Sequence, residues 1–322
     1  MLLLRRGGQK KQLDMCRIRA IVLGQREDGS SVMEPLQLVR LAPLMSRSQG
    51  RAEVAVALID GPVSLEHPDL AQSRIKEIPA PIGSSCQRRE SVACMHGTFV
   101  AGMLAARRGS SAPAICPGCT LIVRPIFPES TNGKSQIPSA TPEELAAAIG
   151  DSIRAGANIV NLSAALAQPS GRGERELEQA LDYAAHRGVL VVAAAGNQGT
   201  VGSSAITRHP WVIPVVSCDL QGRPTAESNL GSSIGRWGLA APGENIVSLG
   251  ADGKTQTSAG TSAAAPFVTG AISLLWSEFP NATAAKIKLA ITQAGRPRRT
   301  IAPPLLDAWA AYEAMKKSQG VF

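Results

Sequence analysis

The sequence predicts an α/β fold: a doubly wound, mostly parallel sheet with helices on both faces. The first observation is a set of short, continuous apolar runs such as residues 189–195, which suit strands covered on both sides. The second is that these runs alternate with stretches of helical periodicity. The third is composition, because 44% of the 322 residues are hydrophobic but only 3% are aromatic, so small and β-branched side chains must fill the core.

The predicted strands and helices alternate from residue 53 onwards. The predicted strands are residues 53–60, 120–127, 158–163, 189–195, 211–217 and 245–249. The predicted helices are residues 95–107, a helix opened at Thr141 by a capping box with proline at its first position, residues 174–187, the stretch after Ser262, residues 283–293 and residues 305–317. Because the chain has no internal repeat and no long linker, we predict one domain over residues 51–322, preceded by a small N-terminal extension over residues 1–50.

Charge and hydropathy argue against several classes of protein. The net charge is +8 and basic residues crowd both ends of the chain, but no aromatic residues lie among them and no nucleic-acid fold signature occurs. We therefore expect a solvated basic surface and no nucleic-acid partner. No apolar run is long enough to span a membrane, and the first six residues do not form a secretory signal. We expect a cytoplasmic protein without a membrane partner; the oligomeric state stays open.

One serine has the setting of a catalytic nucleophile. Ser262 lies between a loop of small residues and an apolar run of helical spacing. In the first turn of a helix its hydroxyl is exposed, and free backbone N–H groups surround it at the positive end of the helix dipole. Those features suit a nucleophile whose product is an oxyanion. Taken alone, the pattern is more often an ordinary helix N-cap, so the interpretation depends on partners.

Three further residues are candidates to complete a catalytic site with this serine. His96, unlike the other three histidines, lies where a loop meets a helix and is followed by small residues. Asp60 ends a buried strand, where α/β sheets place catalytic groups and where a buried carboxylate needs a partner. Asn197 follows the most apolar strand and offers an amide donor, although asparagine beside glycine usually indicates only a turn. Because parallel strands end on one side of the sheet, we expect these side chains to lie together.

In its motifs and their order the chain resembles the subtilisin-like serine proteases, the subtilases. The resemblance covers about residues 50–312. Its motifs are Val56-Ala-Leu-Ile-Asp60-Gly61, His96-Gly-Thr-Phe-Val-Ala-Gly102, Ile159-Val-Asn-Leu-Ser163, Val191-Val-Ala-Ala-Ala-Gly-Asn197, Ala240-Ala-Pro-Gly243 and Gly260-Thr-Ser-Ala-Ala-Ala-Pro266. It implies a serine endopeptidase that cleaves peptides or proteins through an acyl-enzyme and needs no cofactor.

The resemblance also assigns roles to residues. It implies Ser262 as the nucleophile, His96 as the general base and Asp60 as the group that orients and stabilises the base. The implied oxyanion donors are the side chain of Asn197 and the backbone N–H of the nucleophile. Two uncharged segments match the walls of the family's P1 pocket, so uncharged P1 residues should be preferred. The implied substrate contacts are Ser163, Ala164, Ala165, Ala195 and Gly196.

Two departures from the usual family pattern bear on the orientation of Asp60 and on metal binding. Gly61 replaces the serine or threonine that often follows the catalytic aspartate, so the orientation of Asp60 must come from another hydrogen bond. Residues 107–113 stand where many secreted members carry an asparagine-rich calcium loop. Hard cations need oxygen ligands, and this segment offers few, so we expect no metal there.

The cysteines do not form a disulfide scaffold, because there are only six in 322 residues. Cys116-Pro-Gly-Cys119 is a single C-x-x-C motif that precedes a strand instead of opening a helix, which favours free thiols or a local disulfide over redox catalysis. Cys86 and Cys94 flank the approach to His96. A disulfide between them is possible and would stiffen that approach.

A finer resemblance concerns the segment after the histidine. Residues 96–104 and 111–127 are similar to those of proteases that mature cyanobactins and related ribosomal peptides. Members that form rings carry a helical insertion between the aspartate and the histidine. Only 35 residues separate Asp60 from His96, which leaves no room for that insertion. This pattern favours an enzyme that removes a leader peptide by hydrolysis.

Two other functions stay open within the same fold. One is a general intracellular degradative subtilase, and the other is a catalytically silent subtilase fold that only binds. All four catalytic positions are filled, which counts against the silent protein. A dinucleotide-binding α/β protein is disfavoured, because the first strand is not followed by a Gly-x-Gly-x-x-Gly turn.

Overall fold

A seven-stranded parallel sheet forms the centre of the protein. The structure is a computed structural model that describes residues 33–79, 86–129, 140–163, 174–293 and 300–318. The strands are β1 (Ala55–Asp60), β2 (Arg74–Glu77), β3 (Thr120–Pro125), β4 (Ile159–Leu162), β5 (Leu190–Ala194), β6 (Val212–Cys218) and β7 (Leu239–Pro242). Their order across the sheet is β2-β3-β1-β4-β5-β6-β7, and every neighbouring pair is parallel. A separate antiparallel pair joins β8 (Ile246–Leu249) to β9 (Thr255–Ser258).

Helices cover both faces of this sheet. They are α1 (Met33–Leu38), α2 (Ala42–Arg47), α3 (Val92–Ala105), α4 (Pro142–Arg154), α5 (Glu174–His186), α6 (Ala205–Arg208), α7 (Ser232–Trp237), α8 (Thr261–Glu278), α9 (Ala284–Gln293) and α10 (Ala308–Ser318). The larger core contains α3 and α8, and a second core on the other face contains α4 and α5. The predicted doubly wound α/β fold is therefore confirmed. Within the described ranges, no helix has both the length and the apolar character needed to cross a bilayer.

The central helix of the larger core is α8. Its side chains from Phe267 to Leu275 are almost all fully buried against the sheet and α3. Burying one large apolar side chain stabilises the fold by about 1.5–3 kcal/mol, so this helix is a major source of stability. Its packing also fixes its N-terminus, where Ser262 lies, against the rest of the molecule.

Element boundaries differ from the sequence-based predictions where local signals are weak. The helix predicted to begin at residue 95 begins at Val92, because the Ser91 hydroxyl accepts a hydrogen bond from the backbone N–H of Cys94 at 3.2 Å. His96 therefore lies in the second turn of α3 and does not open it. The capping box predicted at Thr141 is present. The short strands β2, β7 and β9 were not predicted, since their sequences are polar or contain proline.

The segment before residue 50 contributes to the larger core. It places four fully or almost fully buried side chains there: Leu36 in α1, Leu44 in α2, and Val39 and Leu41 between the two helices. These helices therefore pack in one body with the sheet. The division of the chain at residue 50 stays a prediction, and residues 1–32 fall outside the described residues.

Arg108 ties the N-terminal helices to the segment that follows α3. Its guanidinium donates hydrogen bonds to the carbonyl oxygens of Met45 and Ser48, the latter at 2.7 Å. It also donates to the carbonyl oxygens of Ala114 at 3.3 Å and Ile115 at 2.9 Å. A calcium ion would need oxygen ligands of this kind, but a guanidinium already binds these and would repel a cation. The expected absence of a metal here stays a prediction, and this chemistry supports it.

We expect Arg108→Met to lower the free energy of unfolding by about 2–4 kcal/mol, because four carbonyl groups lose a charged donor. The matched control is Arg107→Met, which removes an exposed ion pair with Asp69 (3.0 Å) and should cost at most about 1 kcal/mol. Urea unfolding of both variants, with and without EDTA, measures the difference. Equal losses for the two variants would contradict the role given to Arg108.

The described cysteines fall into two groups. Cys86 and Cys94 form a disulfide, with their Cα atoms 5.6 Å apart, between the segment before α3 and its first turn. Cys116, Cys119 and Cys218 are buried free thiols. The C-x-x-C pair therefore carries free thiols, one of the two states that the sequence favoured over redox catalysis.

Candidate active site

The carboxyl edge of the sheet brings three predicted site residues into one hydrogen-bonded chain. Asp60 is the last residue of β1, His96 lies on α3, and Ser262 is the second residue of α8. Asp60 Oδ1 lies 2.7 Å from His96 Nδ1, and His96 Nε2 lies 2.9 Å from Ser262 Oγ. Both distances are those of good hydrogen bonds. The carboxylate, imidazole and hydroxyl are therefore aligned for proton transfer.

Asp60 is held by the backbone of the residue that follows it. The carboxylate is fully buried, and its Oδ1 accepts a hydrogen bond from the N–H of Gly61 at 2.6 Å. Its Oδ2 has no hydrogen-bond donor within the described part of the chain. The orienting hydrogen bond that the sequence left unassigned is therefore a backbone one. A buried carboxylate with few donors interacts strongly with a neighbouring imidazole.

Helix α3 lies directly on the chain that leaves β1, which explains the glycine after Asp60. A Cβ atom at Gly61 would lie 2.0 Å from the carbonyl oxygen of Ala93. On the helix side, a Cβ atom at Gly97 would lie 2.4 Å from the carbonyl oxygen of Gly61. A serine or threonine at residue 61 therefore does not fit. This contact fixes the distance between the strand carrying Asp60 and the helix carrying His96.

The electrostatic setting of His96 favours the imidazolium form that proton transfer creates. Burial lowers the pKa of His96, but the charge of Asp60 and the hydrogen bond to it outweigh burial, so this pKa is raised above its ordinary value. When Asp60 accepts a hydrogen bond from Nδ1–H, the lone pair of the neutral ring lies on Nε2, towards Ser262. The site is therefore competent to accept a proton at pH values above this raised pKa.

Asn197 lies beside the N-terminus of α8 with its amide group fixed. Its Oδ1 accepts hydrogen bonds from the backbone N–H of Thr261 at 2.9 Å and from the Thr261 hydroxyl at 3.0 Å. The same hydroxyl accepts a hydrogen bond from Gly196 N–H at 3.2 Å. Gly260 precedes the helix with φ of 103°, which favours glycine, and a Cβ atom there would meet Asn197 Nδ2 at 2.8 Å. These contacts hold the amide oxygen of Asn197 against the N-terminus of α8.

The candidate substrate contacts lie at the ends of two neighbouring strands. Ser163 follows β4 and Ala195 follows β5, and these strands pair in parallel. Ser163 Oγ accepts a hydrogen bond from Asn161 Nδ2 at 2.8 Å, and Asn161 Oδ1 accepts one from the Thr269 hydroxyl of α8 at 2.7 Å. Gly196 follows Ala195 with a positive φ. The other two predicted contacts, Ala164 and Ala165, lie outside the described residues.

Sequence reasoning missed the residues that position the site. Thr261 holds Asn197, and the buried pair Asn161 and Thr269 connects α8 to Ser163. The available signal was polarity, since Asn161 and Thr269 interrupt apolar runs. That signal does not show that Asn161 and Thr269 bind each other, because the two residues are more than a hundred positions apart in the sequence.

The other three histidines are not part of this hydrogen-bonded chain. His67 Nδ1 accepts a hydrogen bond from the backbone N–H of Asp69 at 3.1 Å. His209 Nε2 lies 3.1 Å from Asp182 Oδ1, and His186 lies in the last turn of α5. Only His96 bridges a carboxylate and a serine hydroxyl within the described ranges. Such a bridge, beside a fixed amide donor, is the arrangement used for nucleophilic acyl transfer.

Comparison with known families agrees with this geometry. Residues 51–317 match the model of the Subtilase family. Subtilisin DY of Bacillus licheniformis is 28% identical over 258 residues, which is 79% of this chain and 87% of that protein. Subtilisin E of Bacillus subtilis is 28% identical over 273 residues, 81% of this chain and 65% of its own length.

Two solved structures are similar over most of their length. The protease domain of PatA is 30% identical with a TM-score of 0.77, and the match covers 84% of this chain and 97% of that chain. The prenylagaramide maturation protease PagA is 28% identical with a TM-score of 0.73, and the match covers 85% of this chain and 98% of that chain.

Proposed function

Because the chain belongs to the subtilase family of serine endopeptidases, we propose that Ser262, His96 and Asp60 are its catalytic triad. The observation that carries this proposal is the continuous hydrogen-bonded chain from Asp60 Oδ1 through both ring nitrogens of His96 to Ser262 Oγ. The three residues come from separate elements, and the described hydrogen bonds of their side chains are those of this chain and the Gly61 contact. Their geometry supports roles as nucleophile, general base and orienting carboxylate.

In the proposed reaction the protein's groups move one proton and stabilise one negative charge. Ser262 Oγ attacks the carbonyl carbon of the scissile peptide bond while His96 Nε2 accepts the hydroxyl proton. The imidazolium, stabilised by Asp60, then gives that proton to the leaving amine, which leaves an ester on Ser262. A water molecule hydrolyses the ester, with His96 again acting as base. No cofactor is needed for these steps.

Asn197 is the proposed side-chain donor to the oxyanion, and the Ser262 N–H is the second donor. The support is the fixed amide, since Thr261 donates two hydrogen bonds to its oxygen and leaves the NH₂ group as the donor. A donor fixed before the reaction needs no reorganisation when charge develops on the substrate oxygen.

We expect Asn197→Ala to lower kcat by about 10²–10³-fold, the cost known for losing one oxyanion donor in subtilisin. KM should change little, because this hydrogen bond forms only as the oxyanion develops. Thr261→Val, which removes one of two hydrogen bonds to Asn197 Oδ1, should lower kcat by less. Steady-state kinetics on one chromogenic peptide measure both variants. A rise in KM at unchanged kcat would assign Asn197 to substrate binding instead.

The proposed substrate is a ribosomally made precursor peptide from which a leader is removed by hydrolysis. The similarity to PatA and to a maturation protease supports this class of substrate. The short segment between Asp60 and His96 supports hydrolysis over ring formation, since its described part contains only the turn Pro68–Leu70, the four-residue strand β2 and the first turn of α3. The proposed P1 contacts, Ser163, Ala195 and Gly196, are uncharged, which supports a preference for uncharged P1 residues.

A peptide library derived from a digested proteome tests this proposal. A processing enzyme should cleave few library members, at one recurring motif with an uncharged P1 residue, and should leave denatured casein intact. Broad cleavage of both the library and casein would favour a general degradative subtilase. Preferred cleavage after lysine or arginine would overturn the proposed pocket, and products joined head to tail would overturn hydrolysis as the final step.

A further inference from the structure

Three potential metal ligands meet beside the helix that carries His96. They are the sulfur atoms of Cys86 and Cys94 and a carboxylate oxygen of Glu129, and all of these atoms lie within 4.8 Å of one another. Cys94 is buried, while Cys86 and Glu129 are half-buried, so the cluster is accessible from one side. The proposed peptidase mechanism uses none of these three residues.

Glu129 is held next to the sulfur atoms by the backbone that follows Cys86. Its Oε1 accepts hydrogen bonds from the backbone N–H groups of Gln87 and Arg88, both at 3.0 Å, and its Oε2 lies 3.1 Å from the latter N–H. Oε1 already accepts two hydrogen bonds, so Oε2 is the oxygen that keeps a lone pair for a further ligand. Hydrogen bonds of this kind orient a carboxylate for metal binding, because they fix its direction before the ion arrives.

Cys94 lies fully buried at the start of α3, close to Cys86. It is the third residue of α3, whose N-terminus is capped by Ser91. The positive end of the helix dipole stabilises negative charge in the first turn. The Cα atoms of Cys86 and Cys94 are 5.6 Å apart. That spacing also suits two thiolates bound to one ion at about 2.3 Å each, with side-chain rotation separating the sulfur atoms.

We propose that reduction of the Cys86–Cys94 disulfide creates a site for a thiophilic divalent cation, zinc in the first instance, with Glu129 as the third ligand. A small-molecule dithiol supplies the two electrons: it becomes a disulfide, and the two cysteines become thiols. Zinc then binds two thiolates and the carboxylate and displaces two protons. Water takes the fourth tetrahedral position, as in zinc sites with three protein ligands. The disulfide and the metal site are thus alternative states of the same residues, selected by the redox conditions.

The experiment is a metal titration of the full chain in its oxidised and reduced forms. Thiol counting under denaturing conditions verifies reduction, and circular dichroism verifies folding. Zinc affinity is measured by competition with a chromogenic chelator. Cobalt(II) then reports the ligands, because thiolate ligation gives an intense near-ultraviolet charge-transfer band. We expect one tight site per reduced chain with that band, and no such site in the oxidised chain.

Variants separate this site from other metal ligands in the protein. Glu129→Gln should weaken zinc binding by at least about tenfold, because it removes a direct ligand. Mutation of groups that only hydrogen-bond to metal ligands already lowers metal affinity by about that much. Cys86→Ser should abolish the tight site and the cobalt band. The matched controls are Glu90→Gln, in the same segment, and Cys119→Ala, in the other thiol pair; both should bind zinc like the wild type.

Three outcomes would overturn the proposal. One is a fully reduced, folded chain that binds no zinc. Another is binding that survives in both Glu129→Gln and Cys86→Ser. The third is binding that is lost in Cys119→Ala, which would place the metal at the C-x-x-C pair. None of these readouts depends on peptidase activity, so they are independent of the proposed substrate.

Discussion

Replacing Ser262 by alanine is expected to lower kcat for peptide hydrolysis by about 10⁶-fold, the loss known for the same change in subtilisin. The physical reason is that no other hydroxyl stands within hydrogen-bond distance of His96 Nε2 among the described residues, so the nucleophile is lost and not merely weakened. The remaining rate should reflect oxyanion stabilisation and binding alone. Initial rates on a chromogenic peptide at high enzyme concentration measure the residual activity.

A fluorophosphonate probe tests the same residue without a known substrate. The intact mass of the wild type should increase by one covalent adduct, and that of Ser262→Ala should not change. Ser258→Ala, in β9 just before the nucleophile loop, is the matched control and should be labelled like the wild type. Labelling of Ser262→Ala would contradict the assignment. A folded wild type that is not labelled would favour the silent, binding form of the fold.

Replacing Asp60 by asparagine should lower kcat by about 10⁴-fold, the magnitude known for this change in other serine protease triads. The buried carboxylate accepts hydrogen bonds from both Gly61 N–H and His96 Nδ1–H. An amide carries no charge to stabilise the imidazolium, and its NH₂ group can select the wrong tautomer of the ring. Steady-state kinetics on the peptide used for Ser262→Ala give the loss.

The pH profile distinguishes this electrostatic role from a general loss of structure. The pKa of His96 is raised because the charge and hydrogen bond of Asp60 outweigh burial. The neutral ring is the active base, so kcat/KM of the wild type should rise with pH through this raised pKa. In Asp60→Asn the raising contributions are gone while burial stays, so the acid limb should move to lower pH. An unchanged limb would contradict the coupling of the two residues.

Asp182→Asn provides the matched control for that shift. Asp182 also pairs with a histidine, His209, at 3.1 Å, but that pair lies on α5 and after α6, outside the hydrogen-bonded chain of the site. Its carboxylate is largely exposed. The variant should therefore leave both kcat and the position of the acid limb unchanged. A shift in this variant would mean that the pH profile reports overall charge and not the Asp60–His96 pair.

The sequence by itself determined the fold class and predicted the four residues of the proposed site. Continuous apolar runs predict buried parallel strands, and the capping box at Thr141 predicts a helix start, because both signals depend on residues close together in the chain. Asp60, His96, Asn197 and Ser262 could be predicted for a similar reason, since each stands at or near the end of a recognisable element. Such local patterns are predictive because they restrict which backbone conformations a segment can adopt.

Only the tertiary structure decided how those residues are held. Ser262 and His96 meet across 166 positions of sequence, and Thr261 fixes Asn197 across 64. The glycine after Asp60 and the four carbonyl partners of Arg108 have no local signature, because the groups they contact come from other elements. Such contacts depend on how helices pack on the sheet, which is set by the whole apolar core and not by any one segment.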